Sequence, residues 1–297
     1  MTRPIYIVEV GPRDGLQNDV ADLSTQQKLE FIERLIACGV TRLEAGSFVS
    51  PKAVPKMADS GEVFAGLKPG AAKYIALALN EKGVRRALDA GADEINFVLV
   101  ASEGFGLRNQ GMGPQASADA LTACAPLVHE AGIPLSATIS VAFGDPYDGD
   151  VDPTNVANLA AQAQRAGAGE VALGDTIGVA TPWQTRDLID RVRIEAPDVF
   201  LRLHFHDTRG AALANIYAAV EAGIDVIDAS CGGIGGCPFA PAATGNVATE
   251  DVVYMLERAG FETGLDLKKL IETATWLEGV LGHSVSSSLS RAGGFPN

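Results

Sequence analysis

The sequence predicts a (β/α)8 barrel, the TIM barrel of α/β proteins, with additional C-terminal helices. Eight short runs rich in apolar and β-branched residues alternate along the 297 residues with amphipathic helical patterns. Most of those helical patterns also end in a small residue followed by glycine, at Cys38-Gly39, Ala90-Gly91, Ala131-Gly132, Ala166-Gly167 and Ala222-Gly223. A glycine there can take the left-handed conformation that stops a helix, and a strand pattern follows each within a few residues. A doubly wound open sheet is the competing topology, but no GxGxxG turn follows the first strand pattern. Barrels of this length commonly form one domain, so residues 1–297 are read as one unit. From about 265 to 297 the chain reads as a helical extension with a polar, Ser-rich end, packed on the barrel or on a neighbouring subunit.

In chain order the predicted strands are Ile5–Val10, Arg42–Ser47, Lys73–Leu79, Glu94–Val100, Leu135–Ala142, Glu170–Thr176, Leu201–Asp207 and Val226–Ser230. Between them the 3.6-residue period predicts helices at Thr25–Cys38 with Ser24 as N-cap, Lys82–Ala90, Ala116–Ala131, Pro153–Ala166, Pro182–Glu195 and Ala211–Ala222. The segment Ser102–Gly111, with three glycines, reads as a loop.

Composition narrows the function. A formal charge of −14 argues against a nucleic-acid partner, because a phosphate backbone attracts a basic face. No apolar run approaches the ~20 residues that span a bilayer. A strand pattern begins at Ile5, leaving no room for a signal peptide. Four cysteines (Cys38, Cys124, Cys231, Cys237) without a CxxC pair suggest free thiols in a reducing compartment, with the cytoplasm as the expectation.

Barrel active sites form at the carboxyl ends of the strands. Strand seven carries His204 and His206, two apart and therefore on one face, which makes half of a divalent metal site. Strand one runs out into Gly11-Pro12-Arg13-Asp14-Gly15, a rigid turn presenting Arg13 and Asp14. Strand two places Glu44 near its top, among neighbours expected to be apolar, and strand eight leads into a glycine-dense segment ending in Cys237 and then Asn246. Strands one, seven and eight adjoin in a closed barrel, so Asp14, His204, His206 and Asn246 can converge. Two imidazoles with a carboxylate and an amide oxygen favour a six-coordinate ion, Mg²⁺ or Mn²⁺. Asn246 is also a candidate N-cap for a helix over Val247–Glu257, with Glu250 on the same face as a partner for its amide. Cys237 sits where a movable glycine loop can deliver a thiol, whereas Cys38, Cys124 and Cys231 read as packing residues and His129 and His283 as non-catalytic.

Taken together, the blocks Val10–Asn18, Ser47–Pro51, Leu173–Gly178, His204–Thr208, Gly235–Ala240 and Gly245–Asp251 resemble the hydroxymethylglutaryl-CoA lyase family, a group within the metal-dependent barrel lyases and Claisen-type synthases. The resemblance covers nearly the whole chain. It implies cleavage of a 3-hydroxy-3-methylglutaryl thioester into acetyl-CoA and acetoacetate, as in leucine degradation and ketone-body formation. It also implies Asp14, His204, His206 and Asn246 as ligands of a divalent metal, Arg13 at the thioester oxygen, Cys237 as the proton-transferring thiol and Glu44 as support. A homodimer and an acyl-CoA substrate follow by the same analogy. Three departures, Arg209 where Tyr is usual, the Gly104–Gly113 segment, and Asp145 in place of Cys, point to a different branched 3-hydroxyacyl group.

A citramalate- or isopropylmalate-type synthase shares the Arg-Asp-Gly and His-x-His elements, but such chains usually carry a regulatory domain and His-Asn-Asp after the histidine pair. An amidohydrolase has its His-x-His on the first strand. A Schiff-base aldolase needs a lysine at a strand's carboxyl end, whereas Lys73 opens its strand. A catalytically inert binding barrel is the remaining alternative, disfavoured by the joint presence of ligands, arginine and cysteine.

Overall fold

The structure, a computed structural model, describes residues 3–235 and 245–296; Cys237 lies outside the described residues. The strands are β1 Tyr6–Glu9, β2 Arg42–Ser47, β3 Lys73–Ala78, β4 Glu94–Val100, β5 Leu135–Ser140, β6 Glu170–Asp175, β7 Phe200–Phe205 and β8 Val226–Ala229. Every neighbouring pair is parallel, and β1 pairs with β8, so among the described residues the sheet closes into a barrel in sequence order. The helices are α1 Thr25–Ala37, α2 Ser60–Gly66, α3 Glu81–Asp89, α4 Glu103–Asn109, α5 Pro114–Glu130, α6 Pro153–Arg165, α7 Pro182–Glu195, α8 Ala212–Glu221, α9 Thr249–Arg258, α10 Leu267–Leu281 and α11 Leu289–Ala292. None of the described helices is long and apolar enough to cross a membrane.

Local chemistry starts the helices where the pattern does. Ser24 and Gln27 close a capping box on α1, and Thr181 and Gln184 do the same on α7. Asn80, Asp152 and Asp266 cap α3, α6 and α10 through backbone N–H groups. Proline stands in the first turn of α5, α6 and α7, where its missing N–H has no intrahelical partner to lose.

The main core lies between the barrel wall and the helices. Leu43, Phe97, Ile139, Leu173 and Phe205 point outward from the strands against Phe31, Leu35, Leu121, Val156 and Ile189 from the helices, all at 1% exposure or less. Leu270, Ala274 and Leu277 of α10 join the same core, which docks the C-terminal helices. Inside the barrel the apolar part shrinks to Val8, Val10 and Ile75 with Val226 packed on it. The other inward positions carry Arg42, Glu44, Glu94, Asn96, Arg202 and Asp228, all but Arg42 buried.

Three expectations need correction. The Ser102–Gly111 segment is not a loop: it contains α4, begun by Ser102 in an extended conformation. Helix α2 escaped the pattern because only Val63 and Phe64 in its seven residues are apolar and buried. Asn246 is not an N-cap; α9 starts at Thr249, and Asn246 instead forms an isolated bridge with His206.

Candidate active site

The carboxyl end of the barrel gathers residues from four strands. After β1 the chain makes one wide helical turn, Gly11–Gly15, in which the amides of Arg13, Asp14 and Gly15 all donate to the carbonyl of Val10 (3.2, 2.7 and 3.2 Å). This turn tucks Arg13 and Asp14 inward, at 8% and 9% exposure, where an ordinary charged turn faces solvent. On β7 the alternation puts His204 inward, and His206 follows at the strand's end with its ring 5.2 Å from that of His204.

Asp14, His204 and His206 each offer a ligand atom within 4.8 Å of the others. Asp14 Oδ2 lies 3.9 Å from His204 Nε2 and 3.5 Å from His206 Nε2. Asn246 reaches the same oxygen, donating from Nδ2 at 2.7 Å and also to the Ile234 carbonyl at 3.1 Å. Nδ1 of His206, buried, has no partner among the described residues. Such a donor set, one carboxylate and two imidazoles around a common point, fits a divalent cation.

Charge around the cluster is balanced. Arg13 donates Nε to Glu44 Oε2 at 2.6 Å and Nη1 to Asp14 Oδ1 at 2.5 Å. Burial on its own raises the Asp14 pKa, but the Arg13 guanidinium and then the two histidines outweigh it and hold the carboxyl well below its usual range. The ion pairs with Glu44 and Asp14 likewise overcome the desolvation of Arg13 and raise its pKa. Glu44 was expected among apolar neighbours; instead Asn96 donates Nδ2 to its Oε1 at 2.6 Å, and Thr138 donates to Asn96 Oδ1 at 3.0 Å. A carboxyl group buried this deeply needs such hydrogen-bond donors to replace water. Burial disfavours the His204 imidazolium, but the hydrogen bond and charge of Asp228 prevail and raise its pKa.

The cluster opens into a cavity of about 520 Å³. Its lining combines polar residues, among them Arg13, Asp14, Gln17, Thr138, Thr176 and the two histidines, with apolar ones, among them Val49, Val54, Leu77, Leu79, Val98 and Phe105. Arg108, Asn109 and Gln110, at the end of α4, line it as well. The side-chain oxygens of Gln17 and Gln110 are buried there without a partner among the described residues.

Of the three sequence departures, Arg209 and Asp145 do not line this cavity, whereas the Gly104–Gly113 segment does, through Phe105, Arg108, Asn109 and Gln110. Arg209 turns to the neighbouring loop and donates to the carbonyls of Ile177 (2.8 Å) and Gly178 (3.0 Å). Asp145 is buried and staples its own loop to the start of α4, accepting from the Ser102 hydroxyl and from the amides of Phe105 (3.0 Å) and Tyr147 (2.6 Å). The glycines at 104 and 113 admit no extra substrate bulk: a Cβ at Gly104 would collide with the Asp148 carboxylate, and one at Gly113 with that of Glu103.

Glu250 does not hold the Asn246 amide. Its two carboxylate oxygens each accept from the Gly232 amide at 3.1 Å, at the root of the glycine segment. Close by, Glu9 accepts from the amides of Gly11 (2.8 Å) and Cys231 (2.9 Å) and the Thr249 hydroxyl (2.7 Å), tying together β1, β8 and α9. Burial pushes both carboxyls from the ordinary 4.5 up to about 7, against the opposing pull of these hydrogen bonds. A pKa raised by folding stabilises the protein below the unfolded-state value, and that contribution is lost as pH rises through about 7. Thermal melts from pH 5.5 to 8.5 should therefore show the wild type losing on the order of a few kcal/mol, and Glu9→Gln losing clearly less. Equal pH slopes in the two proteins would remove Glu9 as a source. Cys231 is buried, with its thiol pKa pushed well above the usual value first by desolvation, as suits a packing residue; Cys38 and Cys124 are buried and free as well. His283 bridges to Asp19 at 2.9 Å, away from the cluster.

The residues missed from sequence are Asn96, Thr138, Arg202, Asp228 and Glu9. For all but Glu9 the signal was the strand period: Arg202 stands two before His204, and Asn96 two after Glu94, so each pair shares the barrel's inner face.

The closed parallel barrel, the buried Asp-His-His cluster that fits a divalent cation and the arginine fixed at the carboxyl rim accord with a carbon–carbon lyase, the class to which this chain's close relatives belong. The chain belongs to the HMGL-like family, whose model matches residues 4–277. It is 45% identical over 294 residues to the 3-hydroxy-3-isohexenylglutaryl-CoA/hydroxy-methylglutaryl-CoA lyase of Pseudomonas aeruginosa, covering 98% of each chain. A crystal structure of hydroxymethylglutaryl-CoA lyase from that organism superimposes with a TM-score of 0.94 at 44% identity, covering 98% of both chains. An HMG-CoA lyase from Acinetobacter baumannii, solved with coenzyme A and 3-methylmalate, gives 0.94 at 39% identity over 99% of this chain and 96% of that one.

Proposed function

We propose that the protein cleaves 3-hydroxy-3-methylglutaryl-CoA into acetyl-CoA and acetoacetate, with Asp14, His204, His206 and Asn246 holding one Mg²⁺ or Mn²⁺ ion. The observation that carries this reading is the meeting of Asp14, His204 and His206 beside Arg13 at the mouth of an otherwise closed barrel. Bound there, a divalent cation supplies a Lewis acid that lowers the pKa of the substrate's tertiary hydroxyl. Asn246, whose amide nitrogen donates to Asp14, would offer its amide oxygen to the ion.

Breaking the C2–C3 bond moves negative charge onto the thioester oxygen. Arg13 answers that charge from a position held on two sides by Glu44 and Asp14, so little reorganisation is needed as the charge grows. Glu44, steadied by Asn96, keeps the guanidinium aimed. Cys237 returns a proton to the enolate carbon that becomes the methyl group of acetyl-CoA. The unpartnered oxygens of Gln17 and Gln110 accept N–H or O–H groups of the substrate.

One specific observation favours a second acyl group. The apolar residues lining the cavity, Val49, Val54, Leu77, Leu79, Val98 and Phe105 among them, suit a longer branch at C3, and the Pseudomonas relative is named for an isohexenyl substrate as well as the methyl one. The test is to supply purified protein and Mg²⁺ with 3-hydroxyglutaryl thioesters bearing methyl, isobutyl and isohexenyl groups at C3 and to follow acetyl-CoA release. Turnover of the methyl compound is the expected result, and a higher kcat/KM for a longer branch would identify the second substrate. No release from any of them would refute the lyase reading. We further place the protein, as a single catalytic domain and a homodimer, in the cytoplasm, acting in leucine degradation and ketone-body formation.

A further inference from the structure

The inner face of this barrel carries a ladder of alternating charge that ends on a candidate metal ligand. Asp228 on β8 divides its carboxylate between two side chains of β7: Oδ2 lies 3.1 Å from His204 Nδ1, and Oδ1 accepts from Arg202 Nη1 at 3.1 Å. Arg202 and His204 are two apart, so both reach across to Asp228, which is in register with His204. Below, Arg202 Nε is 2.9 Å from Glu170 Oε1, and Arg42 clamps Glu170 with two bonds of 2.8 Å while also clasping Glu94.

Arg202 is 0% exposed. Branched apolar side chains are the usual filling of a barrel interior, and a buried charge there is costly to desolvate. Packing alone therefore gives no reason for a guanidinium at this position. The metal centre does: an imidazole that donates from Nδ1 to a carboxylate keeps the lone pair of Nε2 for a cation, and the carboxylate orients the ring only if it cannot swing. With one oxygen on each partner, Asp228 is held at both ends.

We propose that Arg202 is a positioning residue for the metal centre, holding Asp228 against His204 Nδ1 so that Nε2 faces the ion. This inference rests on the metal-site reading above.

The experiment is titration of the metal-free, full-length protein with Mn²⁺, followed by calorimetry or by the loss of free-ion paramagnetic resonance signal. Arg202→Met is expected to weaken Mn²⁺ binding about 10-fold, the low end of the loss for a direct partner of a metal ligand, because Arg202 acts through Asp228. Arg202→Gln, carried in parallel in case the methionine variant fails to fold, should weaken it in the same direction. Arg202→Lys should recover part of the affinity by restoring the charge. Glu94→Gln opens the same ladder two links away while leaving the Arg202–Asp228 contact in place, and should hold affinity within about twofold of wild type. Unchanged affinity in the folded Arg202 variants, or equal weakening in Glu94→Gln, would overturn the inference while leaving the metal site intact. A wild-type protein that binds no Mn²⁺ would overturn the metal reading itself, and this one with it.

Discussion

Replacing Arg13 with Met should lower kcat by about 10²–10³-fold while moving KM only a few-fold, because the charge it meets appears only as the carbon–carbon bond breaks. The geometry sharpens this expectation. Arg13 is bound to both Glu44 and Asp14 before substrate arrives, so its position does not depend on substrate to form. The same contacts carry a second consequence: without the guanidinium, two buried carboxylates lose their counter-charge, and breaking such pairs typically costs about 3–5 kcal/mol. Thermal melts must therefore accompany the kinetics, and activity should be compared at a temperature where both proteins are folded. Arg13→Lys should recover stability better than rate, since an ammonium supplies charge but not the two-sided fork. A large rise in KM with kcat untouched would show instead that Arg13 only anchors the thioester.

His204→Ala is expected to reduce kcat/KM by at least about 10³-fold, more than roughly 4 kcal/mol of transition-state stabilisation, because without one of its ligands a divalent cation would no longer be held where the substrate hydroxyl needs it. Chelation of the wild type should abolish turnover, with Mg²⁺ or Mn²⁺ restoring it. The variant should not be rescued by the same additions at concentrations that saturate wild type. Its fold should survive, since His204 stands at the open end of the barrel and the core packs behind β7 through Leu203 and Phe205. Full activity in metal-free His204→Ala protein would end the metal reading.

The chain's own order carried much of this site to within a residue or two. His204 and His206 share a face because a strand alternates, and they sit at a carboxyl end because β7 stops at Phe205. Arg13 and Asp14 follow β1 directly, and barrel closure makes β1, β8 and β7 neighbours. What misled was chemistry judged from residue type alone. The departure at Arg209 pointed to a different acyl group, but the side chain is sent to the carbonyls of Ile177 and Gly178. The glycines at 104 and 113 looked like cleared space, yet the room they leave is filled by the carboxylates of Asp148 and Glu103. Glu250 lies one helical turn beyond Asn246, but Asn246 precedes the helix, so the two never share its face.

By itself the sequence determined the barrel, the placement of its strands and the identity of the cluster at its mouth, because period, capping and turn chemistry act over a few neighbouring residues. Only the tertiary structure decided which partners those residues have. Glu44 meets Asn96 across 52 positions, and Asp228 lies between His204 and Arg202. Closing the sheet excludes water from its interior, and each charge left there must then find an opposite charge or a hydrogen bond on another strand. That pairing is set by register and by the inward direction of each side chain, which no local stretch of sequence specifies.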